Sequence, residues 1–192
     1  MSPTQRDLQA EVRRNQLLDI ALELFAERGV ENVSIKDLAT EVGVASGLIY
    51  HYFRSKDDLL IAVFQRHNPL PEFEAIFQEL TDLPVREGLL HFAQRFAQIL
   101  PEKRRVLRLV AREMLSPRSP MLAEVITLRQ EGISLFSQYL QSRIDAGELR
   151  PHQPLISLHM LVSSMLILLL LDQPLEPYIR QFVDTILDGI VQ

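Results

Sequence analysis

Apolar residues along the chain recur every three to four positions, the period of an α-helix, and no stretch shows the sustained alternation of a β-strand. Ten of the eleven prolines stand at or near the ends of these periodic stretches, where helices begin or stop. The pattern predicts an all-α protein with helices over residues 8–28, 35–42, 46–53, 56–67, 72–81, 85–100, 102–116, 120–146, 155–171 and 176–190. Short helices give way to longer ones near Pro69, so we expect two domains, residues 1–68 and residues 69–192.

The segment 34–53 predicts two short helices joined by a tight turn. Ser34 followed by Asp37 is a capping pattern that begins the first helix, and Gly43 suits the left-handed conformation just past its end. Ile49 and Phe53 form an inward pair one turn apart in the second helix. The first helix has one apolar face, made of Ile35, Leu38, Ala39 and Val42. Two short helices around a glycine turn are typical of a helix-turn-helix.

The outward face of the second helix has the chemistry of a DNA-binding surface. Residues 42–56 contain two cations and no anion, although the surrounding chain is acidic. Hydroxyls and cations can bind phosphates, Gly47 allows close approach of the backbone, and Leu48 could contact a thymine methyl group. Lys56 stands at the positive end of the next helix dipole, which is unfavourable for a cation unless a phosphate lies against it. The candidate DNA contacts are Ser34, Lys36, Ser46, Gly47, Leu48, Tyr50, His51 and Lys56.

Composition and charge restrict the remaining possibilities. The chain has no cysteine, which excludes disulfides, Cys-ligated zinc, iron–sulfur centres and a thiol nucleophile. The net charge is −5, and residues 1–68 carry eight Lys or Arg against ten Asp or Glu, so DNA binding must depend on local geometry. The first residues lack the apolar stretch of a signal peptide. The apolar segment 155–171 is interrupted by polar residues and short for a membrane span, so we expect a cytoplasmic protein without membrane association.

The same residues resemble a known family. Residues from about 11 to 66 resemble the N-terminal DNA-binding domain of TetR-type (TetR/AcrR) transcriptional repressors, through IALELFAERG at 20–29, SIKDLA at 34–39, GV at 43–44 and GLIYHYFRSKDDL at 47–59. The resemblance implies that residues 46–53 form the recognition helix, that Ser34 supplies a phosphate-binding hydroxyl where threonine is commoner, and that Lys56 binds a phosphate. It also implies a three-helix DNA-binding domain followed by a helical ligand-binding and dimerisation domain. In such a protein, a small-molecule effector releases the repressor from its operator.

The last two predicted helices, 155–171 and 176–190, carry more apolar surface than one small domain can cover. The first is apolar nearly all round, and the second has a stripe at Ile179, Phe182, Val183, Ile186, Leu187 and Ile190. Two such helices from each of two subunits would form a four-helix bundle about a twofold axis, so we expect a homodimer. Two recognition helices would then address the two half-sites of a palindromic operator in double-stranded DNA.

Two groups of residues in the middle helices, one apolar and one basic, each allow two interpretations. Aromatic and methionine side chains would either line an effector cavity or form an ordinary core: Phe92, Phe96, Met114, Phe136 and Tyr139. A basic segment would either bind an anion or form a solvated helix face, the interpretation that we favour: Lys103, Arg104, Arg105, Arg108 and Arg112.

The sequence offers no pattern for catalysis. His91 and His159 lack metal-ligand spacing, and the chain has no phosphate-binding glycine loop, nucleophile elbow or convincing catalytic carboxylate pair. We therefore expect no enzyme activity, no cofactor and no metal site. The alternatives to a repressor are a helical carrier of an apolar ligand without DNA binding, a helical enzyme, and a regulator that activates transcription.

Overall fold

The structure is a computed structural model that describes residues 4–190, without the side chains of residues 189 and 190. Its α-helices within that range are α1 (Gln5–Arg28), α2 (Ile35–Val42), α3 (Ser46–Tyr52), α4 (Lys56–His67), α5 (Leu70–Glu79), α6 (Val85–Ile99), α7 (Arg104–Met114), α8 (Leu122–Asp145), α9 (Pro154–Leu158), α10 (Ser164–Leu170) and α11 (Glu176–Ile190). The described residues form no strand, so the predicted all-α class is confirmed. Ile190, the last residue of the predicted apolar stripe, lies outside the described side chains.

The chain folds into two compact units. Unit 1 comprises the described residues up to Asn68 together with Arg105–Ile126, and unit 2 comprises Pro69–Arg104 and the described residues from Thr127 onward. The segment 105–126 therefore packs with the N-terminal helices, whereas the sequence division groups it with residues 69–192. The assignment of separate functions to residues 1–68 and 69–192 stays a prediction.

Unit 1 is built on α1, which packs against α2 and α4. Thr4 begins α1 with a capping box, in which its hydroxyl accepts a hydrogen bond from the Asp7 N–H. The Asp7 carboxylate in turn accepts hydrogen bonds from the N–H and the hydroxyl of Thr4. This cap begins the helix three residues before the predicted start. The fully buried side chains come from all four N-terminal helices: Leu18, Phe25, Leu38, Ile49, Leu59 and Leu60.

The segment 105–126 completes unit 1. In α7 the side chains of Val106, Leu109 and Val110 are buried, and the buried carboxylate of Glu113 accepts a hydrogen bond from the Ser119 hydroxyl at 2.5 Å. That hydrogen bond satisfies a charged group that would be costly to bury alone.

Basic side chains of the segment 103–112 are used within the fold. In unit 2, Lys103 pairs with Glu72 and Arg104 pairs with Asp172. In unit 1, Arg105 pairs with Glu23 at 3.0 Å, and Arg112 is exposed despite its apolar neighbours in sequence. These ion pairs support a charged, solvated helix face rather than an anion-binding site.

In unit 2, α6 packs against α5 and α11. Six rings form an aromatic cluster with neighbouring centroids 5.0–6.3 Å apart: Phe73, Phe77, Phe92, Phe96, Phe136 and Tyr139. Met114 lies in unit 1 and is half exposed, so it is no part of this cluster. The cluster is the apolar centre of unit 2.

The predicted helix over 155–171 is helical over residues 154–170, but it contains a π-helical segment that the sequence did not predict. The segment consists of α9, a π-helical segment His159–Ser163, and α10. The Ser164 hydroxyl donates a hydrogen bond to the Met160 carbonyl oxygen at 2.6 Å in this region. A single wider turn shifts the helix faces without changing which residues are apolar, so the apolar pattern does not reveal it.

Candidate nucleic-acid interface

The Ser34 side chain begins α2 through the predicted capping box. Its hydroxyl accepts a hydrogen bond from the Asp37 N–H at 3.1 Å and donates one to the Asp37 carboxylate at 2.6 Å. The Ser34 N–H donates to the same carboxylate at 2.8 Å. The hydrogen bonds that Asp37 accepts hold its pKa below the ordinary value, and the bond from the Ser34 hydroxyl has the larger effect. Ser34 is exposed, and a phosphate at this position would compete with Asp37 for the hydroxyl proton.

Gly43 makes the turn between the two helices of the motif. Its backbone is left-handed, with φ 74° and ψ 37°, and its N–H donates to the carbonyl oxygens of Ala39 and Thr40. The Val44 N–H also donates to the Ala39 carbonyl oxygen, at 2.9 Å. These bonds satisfy the last carbonyls of α2 and redirect the chain into α3. The predicted left-handed glycine is confirmed.

Helix α3 buries one face and exposes the other. Ile49 and Phe53 are 1% and 2% exposed, which confirms them as the inward pair. Gly47, Tyr50 and His51 are exposed, whereas Ser46 and Leu48 are half-buried at the edges of this face. Tyr50 is 56% exposed, and the His51 ring contacts the Tyr52 ring edge-on. The structure thus brings the predicted groups of α3 to one surface that carries no acid.

Lys56 is the first residue of α4 and is half-buried. Ser55 caps this helix by accepting a hydrogen bond from the Asp58 N–H at 3.0 Å, and the Asp58 carboxylate accepts one from the Arg54 N–H at 2.9 Å. Neither Lys56 nor the exposed Lys36 forms an ion pair with another described residue. Both ammonium groups are therefore available to an anion from outside the chain.

One neighbour of α3 was missed by sequence reasoning. The guanidinium carbon of Arg14, in α1, lies 5.2 Å from the centroid of the Phe53 ring. The two residues are 39 positions apart, and a single sequence carries no signal for that contact. Arg14 is half-buried there, at the end of α3.

Neither a candidate metal site nor a membrane-spanning helix occurs among the described residues. Residues 4–190 contain no group of three His, Cys, Asp or Glu side chains arranged to hold a metal ion. None of the described helices is both long and apolar enough to cross a membrane.

Comparison with known proteins agrees with the geometry of the motif. The family model described as bacterial regulatory proteins, tetR family, matches residues 17–63. A curated relative, the HTH-type transcriptional repressor KstR2 of Rhodococcus jostii (strain RHA1), is 48% identical over 48 residues. That match covers 25% of this chain and 24% of the relative, so it concerns the helix-turn-helix region alone.

Similarity of fold extends over nearly the whole chain. The FadR regulator of Bacillus subtilis, solved in complex with stearoyl-CoA, has a TM-score of 0.74 at 18% identity and covers 91% of this chain and 98% of its own. The ketosteroid regulator KstR2 of Mycobacterium tuberculosis has a TM-score of 0.72 at 20% identity, with coverages of 94% and 95%. At such identities the likeness shows a shared fold. Residues 17–63 match the tetR family of bacterial regulatory proteins, and the chain shares the fold of these solved regulators.

Proposed function

We propose that the protein is a DNA-binding transcriptional repressor that binds a pseudopalindromic operator as a homodimer and is released by a small-molecule effector. The observation that carries the proposal is the acid-free face of α3, held outward by the buried pair Ile49 and Phe53 and by the Gly43 turn. A helix presented in this way fits the major groove. Because its partner is the chromosome, we expect the protein in the cytoplasm.

Each exposed group has a role that suits its chemistry. The Ser34 hydroxyl and the ammonium groups of Lys36 and Lys56 bind backbone phosphates, since these cations have no ion-pair partner among the described residues. Tyr50 contributes a phenol to the same backbone. Ser46, Gly47, Leu48 and His51 lie where base edges would be read.

The homodimer is proposed to form through α9, α10 and α11. Large apolar side chains on these helices, on the π-helical segment between α9 and α10, and directly after α10 are 40–63% exposed in the single chain: Ile156, Met160, Ile167, Leu171 and Tyr178. An exposed apolar patch on several neighbouring elements is typical of a protein–protein interface. Covering it with the same helices of a second copy would make a four-helix bundle and pair two recognition helices.

The effector is proposed to be a largely apolar small molecule bound in unit 2. The aromatic cluster supplies the apolar surface, and the Tyr139 hydroxyl within it is buried without a hydrogen-bond partner among the described residues. The fold is shared with a FadR that was solved with stearoyl-CoA, an apolar acyl chain on a polar carrier. The effector would favour a spacing of the two recognition helices that no longer matches major grooves about 34 Å apart. It can shift this equilibrium only by its difference in affinity for the two states.

The test compares the DNA affinity of Tyr50→Ala and Lys56→Ala with that of the wild type. The control is Arg129→Ala, which removes an exposed cation from α8. We expect both α3–α4 variants to lose operator affinity and the control to keep it. Each lost phosphate contact should reduce the slope of log affinity against log salt by about 0.9. If all three variants bind DNA like the wild type, the roles proposed for Tyr50 and Lys56 are wrong. If the wild type binds no DNA, the DNA-binding proposal is wrong, and a carrier of apolar ligands becomes the better account.

A further inference from the structure

Arg14 occupies a defined position at the end of the recognition helix. The residues before it, 4–13, are all exposed, and Arg14 is among the first of α1 to be half-buried. Its guanidinium carbon lies 5.2 Å from the centre of the Phe53 ring. Phe53 ends α3, with its N–H donating to the Ile49 carbonyl oxygen at 2.9 Å, and its side chain is buried. Arg14 thus contacts a buried residue of the core and is partly shielded from solvent.

Stacking on the ring leaves the polar edges of the guanidinium unused. A guanidinium is flat and carries its N–H groups around its rim, so one face can contact an aromatic ring while the rim donates hydrogen bonds. Arg14 forms no ion pair with another described residue. A charged donor that is already positioned loses less conformational freedom when it binds an anion than a free arginine does.

The chain around the end of α3 is locally basic. The end of α3 is followed by exposed Arg54 and by Lys56, and no acid occurs between Val42 and Lys56. Two acids follow Lys56: Asp57, which is exposed, and Asp58, whose carboxylate accepts a hydrogen bond from the Arg54 N–H. A guanidinium rim matches the oxygens of a phosphate in a bidentate geometry that an ammonium cannot provide.

We propose that Arg14 is a further DNA-binding residue, a guanidinium supplied by α1 and positioned by Phe53 to bind a backbone phosphate beside the end of α3. The inference rests on the proposed DNA-binding function and adds a contact to the helix-turn-helix from outside it. Because a phosphate is the same in every sequence, Arg14 strengthens binding to all DNA and leaves sequence preference unchanged.

The experiment compares full-length wild type, Arg14→Ala, Arg14→Lys and Arg13→Ala for binding to upstream DNA and to scrambled DNA of equal length over a series of salt concentrations. Arg13→Ala removes the same charge from the adjacent, exposed position and is the matched control. Circular dichroism and thermal denaturation check that each variant is folded. The salt dependence separates the proposal from a purely structural role, because loss of packing alone does not change the number of phosphates contacted.

We expect Arg14→Ala to reduce the salt slope by about 0.9 and to weaken binding by the same factor on both DNAs. Arg14→Lys should keep most of the slope but lose part of the affinity, and Arg13→Ala should change both less than Arg14→Ala. If the slope of Arg14→Ala equals that of the wild type, or if Arg13→Ala has the same effect as Arg14→Ala, the assignment is overturned. Failure of the wild type to bind either DNA would instead overturn the proposed function on which the assignment rests.

Discussion

Replacing Gly47 by alanine should stabilise the protein and weaken its binding to DNA. Gly47 is the second residue of α3 and is exposed, and a Cβ built on it meets no atom within 4 Å. Glycine is about 0.8–1.0 kcal/mol less favourable than alanine inside a helix. Near a helix start we expect a gain of about 0.5–1 kcal/mol, which corresponds to a melting temperature about 1–4 °C higher for a chain of this size.

The added methyl group would stand between the α3 backbone and the base edges. Forcing an extra carbon into a well-packed contact costs about 1–3 kcal/mol, so operator affinity should fall about 5- to 150-fold. The control is Gly132→Ala in α8, where a Cβ also meets no atom within 4 Å. That variant should gain stability and keep wild-type affinity.

Thermal denaturation and fluorescence anisotropy with labelled DNA would measure the two effects on the same preparations. A Gly47→Ala variant that is more stable and binds the operator as tightly as the wild type would refute the placement of this face against DNA. A variant that is less stable would refute the account of Gly47 as an unstrained helical residue.

Three further results are expected. Gly88→Ala should destabilise unit 2 by about 1–3 kcal/mol in urea denaturation, because the new Cβ would overlap the Tyr139 hydroxyl oxygen and lie 3.1 Å from the ring carbon that bears it. Adding Tyr139→Phe to Gly88→Ala removes that oxygen and should recover part of the lost stability. If Gly88→Ala and the double variant are equally destabilised, this explanation is wrong. Ser34→Ala should return the pKa of Asp37 towards its ordinary value in an NMR titration, since the depressing hydrogen bond is gone. The lowered pKa of Asp37 stabilises the folded wild type above about pH 4, and this contribution is lost as the pH falls. The stability of the variant should therefore change less between neutral and acid pH than that of the wild type. If the pKa of Asp37 is the same in both proteins, that would argue against the capping geometry. Ile167→Glu puts a charge on an exposed apolar position of α10 and should yield folded monomers in light scattering with weak operator binding, whereas an intact dimer would exclude this surface as the interface.

Local features of the motif could be predicted from the sequence because local chemistry determines them. Ser34 and Asp37 are three residues apart and need no distant partner to form a capping box. Gly43 is the residue that adopts a left-handed backbone without a Cβ penalty, so its position just past an apolar helical stretch was informative. Prolines near helix ends could be used in the same way, because proline disrupts a helix interior whatever its distant neighbours are.

Features that depend on tertiary contacts could not be predicted in this way. The stacking of Arg14 on Phe53 joins residues from separate helices, and nothing in the residues next to Arg14 indicates its partner. The grouping of 105–126 with the N-terminal helices depends on which faces meet in three dimensions. The π-helical segment His159–Ser163 lies in a run that is apolar on nearly every side, so the pattern contains no face from which a wider turn could be inferred.

The most direct test of the central claim is binding of the purified protein to the DNA upstream of its own gene, beside scrambled DNA of equal length, at two salt concentrations. The account predicts tighter binding to the upstream fragment, and affinity for both DNAs that falls as salt rises, because α3 reads bases while the cations around it bind phosphates. Absence of binding to either DNA at low salt would contradict the account.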